Sequence, residues 1–302
     1  SLELPTRYDE KTALVRSKEP VYVEFYSDYP DRVPGAYIGR SDFDFDHTPH
    51  IYCEKDGMRP TCLFRGNGDE WFAYMEIEDF IKHVRSWYED LASGVNTEDG
   101  GEFEPLRLKG FSATMIYDYE LLSDEIDKAE EQPNDFFGVI YERLKKKLIR
   151  LTGDNMWLLE MPGLEKNDVV LGVVCKDGSK RYCDRYDVVM PRTYSELQEY
   201  AGKHGVEIDA AVSDILGKIN GDSPSFIIIL AIRRSKKLIG VNSFYQLVNF
   251  EILRDTEADG KYVLTPTSKV QFHSHKSPVT TKKAHEISKL NTDINPSLII
   301  AG

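Results

Sequence analysis

The sequence predicts an α+β fold in at least two parts. Strand-like and helix-like segments are interspersed without a regular period, which argues against a repeating βαβ architecture. A polar, glycine-containing stretch at residues 95–102 separates an N-terminal part from a longer remainder. With 41% hydrophobic and 29% charged residues among 302, the chain can bury real cores.

The balance of 38 Lys and Arg against 51 Asp and Glu gives a net charge of -13, which repels a phosphate backbone. No nucleic-acid partner is expected. The one basic run, Lys145-Lys146-Lys147 with Arg143 and Arg150, reads as a solvated helix face. The longest apolar run, residues 226–232, is too short to cross a bilayer, so no membrane partner is expected. Ser1-Leu2-Glu3-Leu4-Pro5 lacks the basic start and apolar core of a signal peptide. Cys53, Cys62, Cys175 and Cys183 form no Cys-x-x-Cys pair, which excludes a zinc ribbon. Four cysteines in a chain of this length build no disulfide scaffold, and the expected setting is cytoplasmic and reducing.

Residues 21–26, rich in β-branched and aromatic side chains, read as a strand. Pro30 and Pro34 break it, residues 36–38 resume it, and residues 41–46 form an acidic, aromatic loop. Residues 49–53 are short and extended, and Lys55-Asp56-Gly57 is a turn. Ile77, Phe80, Ile81, Val84, Trp87, Tyr88 and Leu91 then recur at spacings of three and four, with Gly94 just beyond. That pattern predicts a helix over residues 76–93 packed by one face.

Further on, residues 106–119 read as extended, and 123–131 and 134–151 as helices broken at Pro133. Residues 169–175 and 181–190 flank Lys176-Asp177-Gly178-Ser179 and read as a hairpin. Across that turn Cys175 opposes Lys180, so no disulfide to Cys183 is expected. Residues 194–204 and 209–219 read as helices, 226–232 as a buried strand, and 240–254 and 262–272 as further extended or mixed structure. His273-Ser274-His275 places two histidines on one side of a strand, but no third ligand is evident. It reads as a solvated loop edge, and neither a metal nor a cofactor is expected.

The candidate nucleophile is Cys62, in Arg59-Pro60-Thr61-Cys62-Leu63-Phe64 between the Gly57 turn and Gly66-Asn67-Gly68. This placement predicts an exposed thiol, with Arg59 and Arg65 as nearby cations to favour the thiolate. His50 lies twelve positions upstream as a candidate base or hydrogen-bond donor. Cys53, beside His50, is the rival nucleophile. Trp71 reads as a core anchor for the helix rather than a catalytic group.

In order along the chain stand Phe25-Tyr26-Ser27-Asp28-Tyr29-Pro30 with Pro34, Thr48-Pro49-His50-Ile51-Tyr52, Gly57, Cys62-Leu63 and Trp71. The amphipathic helix follows them. This set, over residues 21–94, resembles the ubiquitin-conjugating enzymes: a strand, a Tyr-Pro turn, a His-Pro-Asn segment, Cys-Leu, and a Trp before the crossover helix. It is most similar to the divergent conjugating-enzyme-like domains of bacterial fusions, where a linker domain and a ThiF-like activating (adenylating) domain follow, in systems associated with antiviral defence. The resemblance implies a small antiparallel sheet with helices at residues 1–102, followed by a second α+β domain at 103–290. It also implies a Cys62 thioester, a ubiquitin-like carrier protein and an activating domain as partners. Residues 295–302 resemble the first strand and opening glycine of the ThiF-like domain, so 291–302 are expected to begin it. Two departures stand out. The family's Asn is unmatched, with Pro49-His50 near its place. Only about twenty residues precede the first clear strand, leaving little room for the N-terminal helix. The departures keep open an inactive conjugating fold that serves as a binding module; an exposed Cys62 sulfur in a groove would support catalysis, and a buried one would speak for the binding module.

Overall fold

The computed structural model describes residues 2–3, 15–52, 57–64, 67–94, 102–105, 112–128, 136–145, 148–153, 169–179, 181–187, 189–219, 223–257 and 260–276. The fold is α+β, as the sequence predicts. The chain divides into two compact units. The first comprises Ser1–Gly110, Tyr182–Met190 and Arg234–Gly240, and the second comprises Phe111–Arg181, Pro191–Arg233 and Val241–Gly302. Among the described residues no helix is long and apolar enough to cross a membrane.

In the first unit, β1 (Leu2–Glu3) pairs with β2 (Lys18–Glu19), and β3 (Val21–Glu24) pairs antiparallel with β4 (Gly35–Ile38). Two antiparallel bridges widen this sheet, Tyr37 to Pro60 and Ile51 to Thr61. A single 3-10 turn, Phe45–His47, precedes the short helix α1 (Gly68–Phe72). Helix α2 (Ile77–Ser93) follows the expected bounds within one residue. Glu76 caps its start, with the Asp79 carboxylate accepting the Glu76 N–H at 3.4 Å. Gly94 ends it at φ +78°, a left-handed backbone that glycine adopts without steric cost. Phe80, Val84, Trp87, Tyr88 and Leu91 of α2 are buried with Ala36, Ile38 and Ile51 of the sheet. The apolar stripe therefore lies where its spacing placed it. Residues 95–101 of the expected linker lie outside the described residues.

The second unit is a closed barrel. Its strands are β5 (Thr114–Ile116), β6 (Phe136–Lys145), β7 (Leu148–Gly153), β8 (Val169–Lys176), β9 (Ser225–Arg233), β10 (Tyr245–Leu253) and β13 (Lys269–Lys276), ordered β10-β13-β5-β7-β6-β8-β9. The β9–β10 pairing closes the ring. A short pair, β11 (Asp255–Thr256) with β12 (Tyr262–Val263), lies outside it in the order. Helix α3 (Tyr119–Lys128) contributes Leu122 and Ile126 to one core with Met115, Val174, Ile227, Ile229 and Leu247. Helix α4 (Tyr194–Lys203) ends one residue before its expected bound, and α5 (Asp209–Ile219) matches its own. Tyr200 of α4 meets Phe250 of β10 edge-on at 5.7 Å, on the face opposite to that core. Strand β9 is therefore covered on both sides, which is why its sequence is an unbroken apolar run rather than an alternation.

Three expectations fail in this unit. The described residues of the stretch 134–151 are strand rather than helix: β6 and β7 run antiparallel there, and β6 also pairs with β8 over Phe136–Glu142. The aromatic and β-branched start of β6 outweighs the helix-favouring Arg and Lys positions that follow, because a long partner strand is present. The hairpin at Asp177-Gly178 also fails. Both edges of β8 are already taken, by β6 and β9. The Asp177 carboxylate accepts the Ser179 and Arg181 N–H groups, which closes a local turn instead. The return arm, where described, carries no strand, and Tyr182–Met190 groups with the first unit. Finally, His273-Ser274-His275 is no solvated loop. His273 sits on β13 at 1% exposure, with its Nε2 3.1 Å from Glu251 Oε2, and Ser225 donates to the other Glu251 oxygen at 2.7 Å. No group of three or more metal-ligating side chains occurs among the described residues.

Cys175 and Cys183 are free thiols, and Cys175 is fully buried. Burial pushes the Cys175 thiol well above its usual range, because a thiolate there would lose its solvation. Cys175 is expected to resist iodoacetamide in the folded protein while half-buried Cys183 reacts, and peptide mass mapping before and after unfolding checks this.

Candidate active site

The candidate site is built on the widened sheet of the first unit. Residues 59–62 form its inner strand. On one side Ile38 N donates to Arg59 O at 3.1 Å and Thr61 N to Ala36 O at 3.0 Å. On the other, Tyr52 N donates to Pro60 O at 2.9 Å and Cys62 N to His50 O at 2.8 Å. A single backbone bond, Cys62 N to His50 O, therefore joins the two sequence-predicted site residues at the end of the Ile51–Thr61 bridge.

Strand formation also corrects one expectation. Cys62 is not on an exposed loop: it is 7% exposed, and its Sγ lies 3.9 Å from Phe64 O. The Gly57 turn precedes the segment, but residues 59–62 bond alternately to β4 and to residues 50 and 52. His83, on α2, fixes the exit from this strand. Its Nε2 donates to Leu63 O at 2.8 Å while its ring stacks on Phe64 and lies 5.1 Å from Trp71. Trp71 therefore packs as an anchor beside the helix, in line with its sequence reading. Arg59 lies over the Phe45 ring at 4.0 Å. Arg65 and the rival Cys53 lie outside the described residues.

His50 has φ +57°, a left-handed conformation that costs a residue with a Cβ about 1–2 kcal/mol. Its side chain is held: Nδ1 lies 2.6 Å from Glu104 Oε2, with the two side chains 10% and 16% exposed. A carboxylate at that distance takes the Nδ1–H and leaves Nε2 as the free nitrogen of the neutral ring. Glu104 was not identified from the sequence. The signal was the alternation Glu102-Phe103-Glu104 before Pro105, which sends Phe103 to the core and the acids away from it. Phe103 is 6% exposed.

The arrangement is a buried cysteine joined through its backbone N–H to a histidine whose ring a carboxylate holds. A thiol and an imidazole are groups that can serve nucleophilic and acid–base chemistry when a substrate is placed between them.

Comparison with known proteins supports the E2-like part of the sequence resemblance. Residues 2–120 match the model of prokaryotic E2 family A, which supports a bacterial E2-like domain over that stretch and a role related to ubiquitin-like conjugation. No curated protein matches the chain.

Proposed function

We propose that the E2-like part carries the C-terminal glycyl group of a ubiquitin-like protein as a thioester on Cys62. The observation that carries this reading is the backbone bond that places Cys62 next to His50, with Glu104 on His50 Nδ1. In the first step the Cys62 thiolate attacks the carbonyl of the thioester on a ThiF-like activating domain, whose own cysteine leaves as thiolate. In the second, an acceptor amine attacks the Cys62 thioester carbonyl. The C–S bond breaks, an amide forms, and the amine's proton passes to a base. His50 Nε2 is the proposed base, or the donor to the oxyanion when the ring is protonated. A linker role for the chain beyond the E2-like part, a ThiF-like domain beginning at 291–302, and a place in bacterial antiviral conjugation belong to this proposal on the resemblance alone.

Supplying the chain with a cognate activating enzyme, ATP and a glycine-ended ubiquitin-like protein tests the reading. A carrier adduct that dithiothreitol removes is expected, and its absence would sink the reading. His50→Ala is expected to leave this loading intact and to slow transfer to amine about a hundredfold, near 3 kcal/mol, the usual cost of losing one oxyanion donor. Single-turnover discharge from preloaded protein checks it.

A second reading rests on the 7% exposure of Cys62: a conjugating fold kept as a binding module for a carrier protein. It predicts carrier binding without any covalent adduct.

A further inference from the structure

The site described above is not built from the N-terminal stretch alone. Glu104 reaches His50 because Phe103 is clamped, and the clamp comes from two segments far along the chain. Phe103 N donates to Lys237 O at 2.6 Å, and Ile239 N donates back to Phe103 O at 3.0 Å. The Phe103 ring stacks on Tyr186 with centroids 5.0 Å apart and planes 11° from parallel. The Arg234 guanidinium lies 4.4 Å from the same ring's centre. Arg234 is itself 2% exposed, and its Nη1 donates to Cys183 O and to Arg185 O, the latter at 2.9 Å. Tyr186 is tied to the sheet region by its N–H to Asp46 O at 2.7 Å, and Arg185 pairs with Asp46 at 2.6 Å. All these residues belong to the first unit, although Tyr182–Met190 and Arg234–Gly240 enter it from beyond residue 181.

We propose that Glu104 is the positioning residue for His50, and that Arg234 and Phe103 set it in place, so that the segments Tyr182–Met190 and Arg234–Gly240 complete the candidate site. The chemical reason is that a single neutral imidazole has two tautomers. A carboxylate fixed at Nδ1 selects the one with Nε2 free. A carboxylate on an unanchored segment would not. Arginine suits the clamp because its flat guanidinium covers a ring and still donates in its own plane to two carbonyls, which an ammonium cannot do. Only the catalytic meaning of this arrangement rests on the thioester reading; the positioning itself does not.

The test uses the full chain labelled with ¹⁵N-histidine, with the His50 signals assigned through His50→Gln. Long-range ¹H–¹⁵N spectra are expected to find His50 as one tautomer with its proton on Nδ1. Glu104→Ala is expected to give a tautomer mixture. Arg234→Lys and Phe103→Leu, which keep charge and apolar bulk respectively, are expected to give the same mixture while circular dichroism reports a folded chain. In discharge assays from preloaded protein the three variants are expected to slow amine transfer by up to about a hundredfold, the scale on which misplacement by an ångström acts. A single Nδ1–H tautomer surviving in Glu104→Ala would overturn the positioning role. The same survival in both folded clamp variants would overturn the part given to Arg234 and Phe103. Failure of the unaltered chain to load any carrier would overturn the thioester reading instead, and the spectra separate the two results.

Discussion

Cys62→Ser is expected to trap the carrier as an oxygen ester that survives dithiothreitol, and Cys62→Ala to abolish loading altogether. The difference follows from the leaving group. A thiol ionises near pH 8.5, so thiolate departs readily when an amine attacks the thioester. A serine alkoxide is far more basic, so the ester persists. The position of Cys62 makes the contrast clean. Its N–H is bound to His50 O and its neighbours are paired on both edges of the strand, so a serine of similar size keeps the local backbone. Loading of Cys62→Ser is expected to be slower than that of the native protein, because a hydroxyl is scarcely ionised at neutral pH. Cys53→Ser is expected to load normally. Non-reducing gels with and without dithiothreitol read all four proteins. Unchanged loading of Cys62→Ala would end the thioester reading at this residue.

Phe80→Ala is expected to destabilise the first unit by about 3–5 kcal/mol, a change on the order of a hundredfold to several-thousandfold in its folding equilibrium. Phe80 is fully buried on the inner face of α2 and meets Phe72 edge-on at 6.3 Å. Truncation removes that contact and leaves a cavity between helix and sheet that neither rigid element can close. Lys82, two positions on, is the control. It pairs with Asp79 at 2.8 Å on the exposed face, where solvent screens the attraction. Urea unfolding followed by near-ultraviolet circular dichroism is expected to show a large fall in midpoint for Phe80→Ala and little change for Lys82→Ala. Equal midpoints would mean that α2 does not hold the sheet.

What the sequence determined by itself is what neighbouring residues encode. The spacing of Phe80, Val84, Trp87 and Leu91, with an acidic first turn and Gly94 beyond the last, specified helix α2, its ends and its buried face. Residues 194–204 and 209–219 were likewise legible as helices, and the apolar run of β9 as a buried strand. The order of Tyr29-Pro30, Pro49-His50, Cys62-Leu63 and Trp71 also marked the E2-like part before any partner contact was known. Tertiary structure decided whatever depends on a distant partner. Residues 136–145 became a strand because β8 was there to pair with them, and the arm after Asp177 did not because β8 had no free edge. Cys62 is buried, and its backbone N–H is bound to His50 O, a residue twelve positions earlier. Glu104 meets His50 through Phe103, which residues around 186 and 234–239 hold in place. Helix periodicity and caps are short-range and can be read within a few turns. Strand pairing, burial of a thiol and the aim of a carboxylate are set by groups tens to hundreds of residues away, which enter the free energy only once the chain has folded.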